Sequence, residues 1–346
     1  MRPVTHQELG VEPGAVMLSE ILEQPDVWAR LCRDPEVAHV AGTLRRRAPR
    51  VLMTVARGSS ANAALYGRYL AQLRNGLVTA EVMPSVHTIH GRDVFGPECC
   101  LVAVSQSGAS PDVVSAVERA RAAGATTLAI TNDPTSELAR AAELVLAMGA
   151  GVERAVAATK SYTASVLALR LVSGALAGED TGDRTRLAGD LAAAFERTVT
   201  GTGQLLVRWL EVFEGAASAH LVARGPNLAT AKEGALKLTE TSALVAQGWS
   251  AAEILHGPIA SVGTGTPVLC LDDGLAQDSV ASVAAAATAR GAEVLPVAVP
   301  HGTALSELDA VTVGVVPLQI LARELAVGRG LDPDRPQGLT KVTRTR

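Results

Sequence analysis

Short apolar runs alternate with longer stretches of helical periodicity along most of this chain of 346 residues. One such run, LVAV at residues 101–104, passes directly into the polar turn SQSG, and Pro111 and Asp112 then begin a helical stretch. Apolar runs of about four to six residues separated by helical patterns are typical of parallel sheets covered by helices on both faces. The pattern therefore predicts an α/β protein.

One α/β unit occurs twice in the sequence. The segment VARG at residues 55–58 returns at 222–225, and LVAVSQSG at 101–108 has its counterpart in VLCLDDG at 268–274. A third pair, a helix followed by a strand, comes after each of these, and all three pairs are about 167 residues apart. A repeat of this length indicates a duplicated unit. The predicted fold class is α/β, with two tandem doubly wound parallel-sheet lobes that resemble flavodoxin and Rossmann sandwiches.

The repeat also predicts how the chain is divided. The segment GEDTGD at residues 178–183 is the best candidate for a joint, because it is polar and contains two glycines. The expected parts are an N-terminal helical segment at 1–40, a first, phosphate-binding lobe at 41–180, linking helices at 184–215, a second lobe at 216–330 and a C-terminal tail at 331–346.

Composition and charge exclude several classes of protein. Hydrophobic residues make up 48% of the chain but aromatic residues only 3%, so the cores must consist of Ala, Val and Leu. A net charge of −4 argues against a nucleic-acid surface. The sequence has no uninterrupted apolar run of transmembrane length, no signal-peptide core at its start and no CxxC pair. We expect a cytoplasmic protein with no nucleic-acid or membrane partner.

Two serine-rich turns follow predicted strands of the first lobe. In the first, Pro111 suits the start of a helix, whose free N–H groups and positive end would face an anion beside Ser105, Ser107 and Ser110. This cradle would need no cationic side chain. The second turn, GSSAN at residues 58–62, has the same position after a strand. Either turn alone is more often an ordinary serine-rich cap, but two at neighbouring strand ends mark the ligand site of an open sheet.

Charged residues lie on one face of a predicted helix from Thr230 to about Val245. Glu233, Lys237 and Glu240 are three and four residues apart, which places them on the same face. Such a stripe is often a solvated ion-pair surface. The alternative is a functional face, favoured by His256, which stands directly before Gly-Pro at a turn.

These motifs, in this order, resemble the sugar isomerase (SIS) domain family, and in particular the isomerase half of glucosamine-6-phosphate synthase. The amidotransferase half and its N-terminal cysteine nucleophile are absent from the sequence, so glutamine-derived ammonia is not implied. The resemblance covers nearly the whole chain through MLSEILEQP (17–25), ARGSSANA (56–63), SQSGAS (105–110), AATKSYTA (157–164), KEGALKLTE (232–240), AEILHGPI (252–259) and the closing stretch at 317–342.

The resemblance implies a role for individual residues. The position of Glu240 is that of the family's proton shuttle between C1 and C2, and His256 is in the position of the histidine that opens the sugar ring. That histidine typically comes from the neighbouring subunit, which implies a homodimer. The further catalytic positions are Lys237, Lys341 and Glu233; the phosphate-binding positions are Ser60, Ser105, Gln106, Ser107 and Ser110; other substrate-binding positions are Gly58, Ser59, Ala158 and Thr159.

One departure from the family bears on the substrate. The common Ser-Thr-Lys of the family is Ala158-Thr159-Lys160 here, so a hydroxyl that would face the sugar is replaced by a methyl group. The loss would leave space for an acetyl group, so an N-acetylated substrate is an alternative to the free amino sugar.

The implied function is an amino-sugar 6-phosphate enzyme that abstracts the C2 proton. The first expectation is deamination and isomerisation of glucosamine 6-phosphate to fructose 6-phosphate. The alternatives are a lyase that removes water from N-acetylglucosamine 6-phosphate and a non-catalytic sugar-phosphate sensor. No cofactor or metal is expected, because the remaining histidines are scattered: His6, His39, His87, His90, His220 and His301.

Overall fold

Two parallel sheets organise the protein. The computed structural model describes residues 12–272, 274, 276–300 and 304–341. The first sheet has the order β2-β1-β3-β4-β5 and the second β7-β6-β8-β9, with every neighbouring pair parallel. This confirms the predicted fold class. The strands are β1 Val51–Ala56, β2 Val78–Glu81, β3 Cys99–Ser105, β4 Thr126–Thr131, β5 Leu144–Ala147, β6 Ser218–Ala223, β7 Val245–Ser250, β8 Pro267–Asp272 and β9 Glu293–Ala298.

Helices cover both sheets and join them. Short 3₁₀ turns at Gly225–Asn227 and Pro258–Ser261 complete the regular structure of the described residues. The α-helices are α1 Ala15–Leu22, α2 Gln24–Cys32, α3 Glu36–Arg47, α4 Gly58–Leu73, α5 Pro84–Thr88, α6 Pro111–Ala122, α7 Glu137–Ala141, α8 Lys160–Leu176, α9 Thr181–Phe213, α10 Leu228–Ser242, α11 Ala251–Ile254, α12 Gln277–Thr288, α13 Glu307–Gly314 and α14 Val316–Gly328.

The repeat in the sequence corresponds to two copies of one sheet topology. Strands β1 to β4 each begin about 167 residues before β6 to β9. In both copies the second strand pairs with one side of the first strand, and the third strand pairs with its other side. Each sheet therefore has a switch point, between β1 and β3 in the first sheet and between β6 and β8 in the second. Open parallel sheets bind their ligands at such points.

The core is built from small apolar side chains, as the low aromatic content requires. Strands β3 and β4 are buried along their whole length, which is expected for central strands covered on both faces. Helix α8 is buried at all but its last residue and packs against α2, α3, α4 and α13. A helix that is covered all round belongs inside a protein rather than on its surface.

The two halves of the chain interlock. Helix α13 follows the second sheet, yet Val311 and Val313 lie in the core of the first sheet, beside α8. The stretch Glu307–Gly328 is long and apolar enough to cross a membrane, but 78% of its most apolar window is buried inside the protein, so it is a core segment. The linking segment at 184–215 is a single helix, α9, that begins at the Asp180–Asp183 capping box. The lobe boundaries remain predictions.

The C-terminal tail is tied to the start of the chain. The Asp334 carboxylate accepts hydrogen bonds from the backbone N–H of Val16 at 3.1 Å and of Met17 at 2.7 Å. The carbonyl of Asp334 accepts another from Val156 N–H at 3.0 Å. These bonds lead the tail past residues 153–158 and bring Lys341 toward the first sheet.

Helix α10 ends earlier than its periodicity predicted. The expected helix extended to about Val245, whereas the helix ends at Ser242 and Val245 already begins β7. The break occurs at Ala243, which adopts the left-handed conformation with φ 51°. A left-handed residue is a common helix terminator.

Candidate active site at the first switch point

A cleft of about 350 Å³ lies at the carboxyl ends of β1 and β3. We call it the serine cleft. Helices α4 and α6 begin at its wall, and they lead to opposite sides of the first sheet. It is lined by Arg57, Gly58, Ser59, Ser60, Ser105, Gln106, Ser107, Ser110, Glu153, Val156, Ala158, Glu240, Leu339, Thr340 and Lys341.

The turn between β3 and α6 presents hydroxyl groups to the cleft. Ser105 Oγ accepts a hydrogen bond from Gly108 N–H at 3.2 Å, and Ser107 Oγ accepts one from Ala109 N–H at 3.3 Å. Ser110 precedes α6 without capping it through its side chain. Because both turn oxygens accept from the backbone, their O–H groups are left to donate to a ligand. Together with the N-terminus of α6, this turn is suited to an anion.

Gly108 allows this turn to form. Its φ is +61°, and a Cβ atom there would overlap the side chain of Ser136. Both the left-handed backbone and the close approach require glycine.

The second serine-rich turn differs in detail from its prediction. Residues 58–60 do not precede the helix but form the first turn of α4, and Gly58 has a φ of +54°. Ser60 lines the cleft, whereas Ser59 Oγ also accepts a hydrogen bond from Lys237 Nζ at 3.2 Å. The N-termini of two helices therefore meet at the cleft.

Three charged residues of α10 form a chain from the protein interior to the cleft; we call them the charge triad. Lys237 Nζ lies 2.5 Å from Glu240 Oε2 and 3.4 Å from Glu233 Oε1. Lys237 and Glu233 are fully buried, while the Glu240 side chain is 25% exposed and lines the cleft. The interpretation of this face as a solvated ion-pair surface is therefore wrong. Asn62 of α4 donates to Glu233 Oε2 at 2.9 Å.

Burial and charge act against each other within the charge triad. Burial alone would lower the pKa of Lys237, but the carboxylates of Glu233 and Glu240 outweigh it and raise that pKa. Burial raises the pKa of Glu233, and the Lys237 ammonium and the Asn62 amide oppose this only in part. Lys237 is therefore a fixed cation that holds the Glu240 carboxylate at the cleft wall.

Glu153 is a buried acid of the cleft that the sequence analysis missed. Its carboxylate accepts hydrogen bonds from Lys341 Nζ at 2.7 Å, Thr159 N–H at 2.9 Å and Ser161 Oγ at 2.6 Å. Burial would raise the pKa of Glu153, but the Lys341 ammonium and the donors of Ser161 hold it below its usual value. The only signal in the sequence is a glutamate just before the AATK motif, in an otherwise largely apolar stretch.

Most predicted site residues meet at the cleft, and four do not. Glu233 and Lys237 lie behind the cleft wall, where they contact it through Glu240. Thr159 is buried behind Ala158 and does not line the cleft. His256 is exposed and lies outside the cleft of its own chain. The residues that the structure brings together are Gly58, Ser59, Ser60, Ser105, Gln106, Ser107, Ser110, Ala158, Glu240 and Lys341.

Within the described residues, no group of three or more His, Cys, Asp or Glu side chains is arranged to hold a metal ion. Two of the scattered histidines, His6 and His301, lie outside those residues.

The fold and the cleft define a class of α/β proteins with two parallel sheets and a polar cleft at a switch point, and comparison with known proteins gives the family. The SIS domain family matches residues 46–173 and 213–315, a range that includes both sheets. The chain belongs to the SIS domain family, and the resemblance noted in the sequence is confirmed.

Individual relatives agree with this assignment. The glutamine–fructose-6-phosphate aminotransferase (isomerizing) of Aeropyrum pernix is 34% identical, over 94% of this chain and 56% of the relative. The chain spans about half the length of the curated relatives it matches. A solved structure from Silicibacter pomeroyi, whose assignment as a phosphosugar isomerase is itself provisional, has a TM-score of 0.81 and 33% identity over 92% of this chain and 99% of that one.

A further structure shares the fold. The glucosamine-6-phosphate deaminase of Thermotoga maritima has a TM-score of 0.78 over 96% of this chain and 100% of that chain, with 23% identity.

Removal of the Lys237 charge should destabilise the fold. Lys237→Met keeps most of the side-chain volume but leaves Glu233 buried without its cation. Breaking a buried ion pair by removing one partner costs about 3–5 kcal/mol, so the free energy of unfolding in denaturant should fall by that amount. Lys232→Met, on an exposed position of the same helix, is the control and should change stability by less than about 0.5 kcal/mol. Equal stability of the two variants would contradict the prediction.

Proposed function

We propose that this protein is a phosphosugar enzyme that abstracts the C2 proton of an amino-sugar 6-phosphate. The proposed reaction is deamination and isomerisation of glucosamine 6-phosphate to fructose 6-phosphate and ammonia. The observation that carries the proposal is the position of Glu240. Its carboxylate, bound to Lys237 at 2.5 Å, lines the same cleft as the serine turns and Lys341.

The relatives support the choice of substrate class. The name of the Aeropyrum pernix relative contains fructose 6-phosphate as the sugar that is aminated. Fructose 6-phosphate is also the product proposed here, so the same sugar would occupy the corresponding half of both proteins.

Binding of the sugar begins at its phosphate. The hydroxyls of Ser105 and Ser107 and the N-termini of α4 and α6 face the cleft and offer donors to phosphate oxygens. The sugar then extends toward Glu240, Glu153 and Lys341, which line the same cleft.

The proton transfer takes place on the open-chain sugar. Glu240 removes the C2 proton of the aldehyde form, and the electron pair moves toward C1 to give an enediol-like intermediate with an amine at C2. The Lys341 ammonium, positioned by Glu153 and by the carbonyl of Ala155 at 2.7 Å, stabilises the developing charge on O1. Glu240 returns the proton to C1, while the C2 amine loses one proton and O1 gains one, which leaves an imine at C2 and a hydroxyl at C1. Water adds to this imine, ammonia departs and fructose 6-phosphate remains.

Ring opening requires an acid, and the described lining of the cleft in one chain contains no histidine for that role. His256, exposed and outside that cleft, fits this role when a second copy of the chain supplies it. A histidine is suited to protonate the ring oxygen because its ordinary pKa is near neutrality. We therefore propose a homodimer with shared active sites.

A second candidate function depends on Ala158. This residue lines the cleft with a methyl group, and the space is suited to an N-acetyl group at C2. With N-acetylglucosamine 6-phosphate, removal of the C2 proton would expel the C3 hydroxyl as water, which would make the protein a dehydratase. A sensor that binds the sugar phosphate without turnover is the third candidate.

We also propose that the protein is located in the cytoplasm. Its four cysteines, Cys32, Cys99, Cys100 and Cys270, are buried and unpaired. Burial raises the pKa of Cys100 and of Cys270 to about 12, so both remain thiols at neutral pH. Reduced, inert thiols are usual in the cytosol.

Incubation with two substrates separates the three candidates. Glucosamine 6-phosphate should yield ammonia and fructose 6-phosphate in a coupled assay, while N-acetylglucosamine 6-phosphate should be unchanged. Loss of water from the acetylated sugar, seen by mass spectrometry, would favour the dehydratase instead. Binding of either sugar without any product would identify a sensor.

Glu240→Gln should abolish proton transfer without preventing binding. The substitution keeps the shape of the side chain but removes its ability to accept a proton, and loss of general-base catalysis typically lowers the rate by about a hundredfold to ten-thousandfold. In D₂O, exchange of the C2 proton should stop as well. The exposed Glu118→Gln on α6 is the matched control and should behave as wild type. Near-normal turnover by Glu240→Gln would move the base elsewhere, with Glu233 as the next candidate.

Subunit mixing tests the shared site. Glu240→Gln and His256→Ala proteins should each be nearly inactive, but a heterodimer of the two contains one site with both wild-type residues. Mixed under conditions that allow subunit exchange, they should recover a fraction of wild-type activity. If verified heterodimers recover no activity, the active site is not shared between subunits in this way.

A further inference from the structure

We propose that Arg57 is an anion-binding residue of the serine cleft, which contacts the substrate phosphate and favours its dianionic form. The inference rests on the proposed function in so far as the anion is the phosphate of a sugar. The proposal differs from the sequence-based expectation, which was a phosphate cradle without a cationic side chain.

Arg57 is placed at the phosphate end of the cleft by the backbone. It is the residue between β1 and α4, with an extended conformation (φ −133°, ψ 152°), and it lines the cleft next to Gly58. Ser60 follows three residues later, in the first turn of α4. The guanidinium side chain is 52% exposed, so solvent and ligands can reach it.

The orientation of Arg57 is fixed by Asp112 in the first turn of α6. Arg57 donates to Asp112 Oδ2 from Nε at 2.8 Å and from Nη2 at 2.5 Å. The Asp112 side chain is only 3% exposed, and its other oxygen accepts from Val113 N–H at 2.9 Å. Asp112 therefore has a fixed position beside Ser110, and it holds the guanidinium close to the turn that bears the other proposed phosphate ligands.

Most of the hydrogen-bonding capacity of Arg57 remains unused. A guanidinium has five N–H groups in a planar fork, and the two bonds to Asp112 use two of them. No atom in the described part of the chain accepts from the other three. A buried acid that engages one edge of an exposed arginine leaves the other edge for a ligand, and a phosphate is the ligand whose oxygens match that fork.

The other charges of the cleft are already matched. Lys341 Nζ is bound to the Glu153 carboxylate at 2.7 Å and to the Ala155 carbonyl at 2.7 Å. The Glu240 carboxylate is bound to Lys237 at 2.5 Å. The serine turns themselves contribute neutral donors, which favour a phosphate but distinguish weakly between its singly and doubly charged forms. A cation at the same end of the cleft supplies that distinction.

The competing explanation is a purely structural ion pair that ties β1 to α6. The duplication supplies a control for it, because Arg224 has the position of Arg57 in the second copy. Arg224 is exposed and donates to Ser250 Oγ at 3.2 Å. The segment that corresponds to the SQSG turn reads DDG at residues 272–274 and contains no serine.

Binding measurements by titration calorimetry test the proposal without requiring catalysis. The probes are fructose 6-phosphate, fructose and inorganic phosphate, and the proteins are wild type, Arg57→Gln, Arg57→Lys and Arg224→Gln. Loss of a charge-assisted hydrogen bond corresponds to about 10- to 100-fold weaker binding. We expect that loss for fructose 6-phosphate and inorganic phosphate with Arg57→Gln, a smaller loss with Arg57→Lys, none with Arg224→Gln, and no change for fructose.

The pH dependence provides a readout that a structural role would not change. The dianion of a sugar phosphate takes up one proton near pH 6 and becomes a monoanion. Wild-type affinity for fructose 6-phosphate should therefore fall between pH 7.5 and pH 5.5, and the decrease should be smaller in Arg57→Gln. Thermal melts of each variant show whether it is folded. If Arg57→Gln does not fold, the phosphate affinity and pH dependence of the charge-preserving Arg57→Lys are compared with those of wild type instead.

Each result decides between the proposals. Unchanged phosphate affinity in folded Arg57→Gln, with only a lower melting temperature, would overturn the anion-binding role and leave the ion pair. If wild type binds inorganic phosphate but not fructose 6-phosphate, the proposed function fails, and a loss of phosphate binding in Arg57→Gln still supports Arg57. If wild type binds neither probe, both proposals fall.

Discussion

The burial of one lysine between two carboxylates is the constraint on which the rest of the site depends. An unpaired ammonium inside a protein costs several kcal/mol, and the contacts of Lys237 with Glu233 and Glu240 offset that cost. Two residues of the first copy also bind these charged groups of the second copy. Ser59 accepts a hydrogen bond from Lys237, and Asn62 donates one to Glu233. Helix α4 of the first copy and helix α10 of the second are thereby held together. This interaction between the two copies also sets Glu240 in the wall of the cleft that the serine-rich turns line.

The sequence predicted those parts of the site that lie within one strand-turn-helix unit. The serine turn at Ser105 and Ser107 was predicted correctly as a cleft element because its strand, turn and helix are consecutive in the chain. Glu153 was missed because its partner, Lys341, is 188 residues away. Arg57 was overlooked as a cleft residue for a similar reason, since the carboxylate that orients it is 55 residues away. Local pattern shows which residues share an element, and only tertiary contact shows which elements share a site.

The charge triad illustrates the same limit in another way. Periodicity placed its three residues on one face of a helix but gave no information on what covers that face. The stripe has the same spacing whether it contacts water or protein, and here α4 and α14 pack against the helix. The pattern did not predict where the helix ends either, because the apolar periodicity of α10 continues without a break to the first residue of β7. The left-handed turn at Ala243 separates the two elements without a glycine to mark it.

The two copies of the duplicated unit have become chemically different at equivalent places. Helix α4 contributes its N-terminus to the serine cleft, where the helix dipole favours a phosphate anion. Its counterpart α10 contributes Glu240 from its last turn, where the dipole disfavours a carboxylate. Lys237, one turn earlier, offsets that unfavourable position, whereas α4 requires no such cation for its role. Under the proposed function, the divergence of the copies is a division between phosphate binding and proton transfer. The buried lysine allows the second copy to hold a carboxylate at the unfavourable end of a helix.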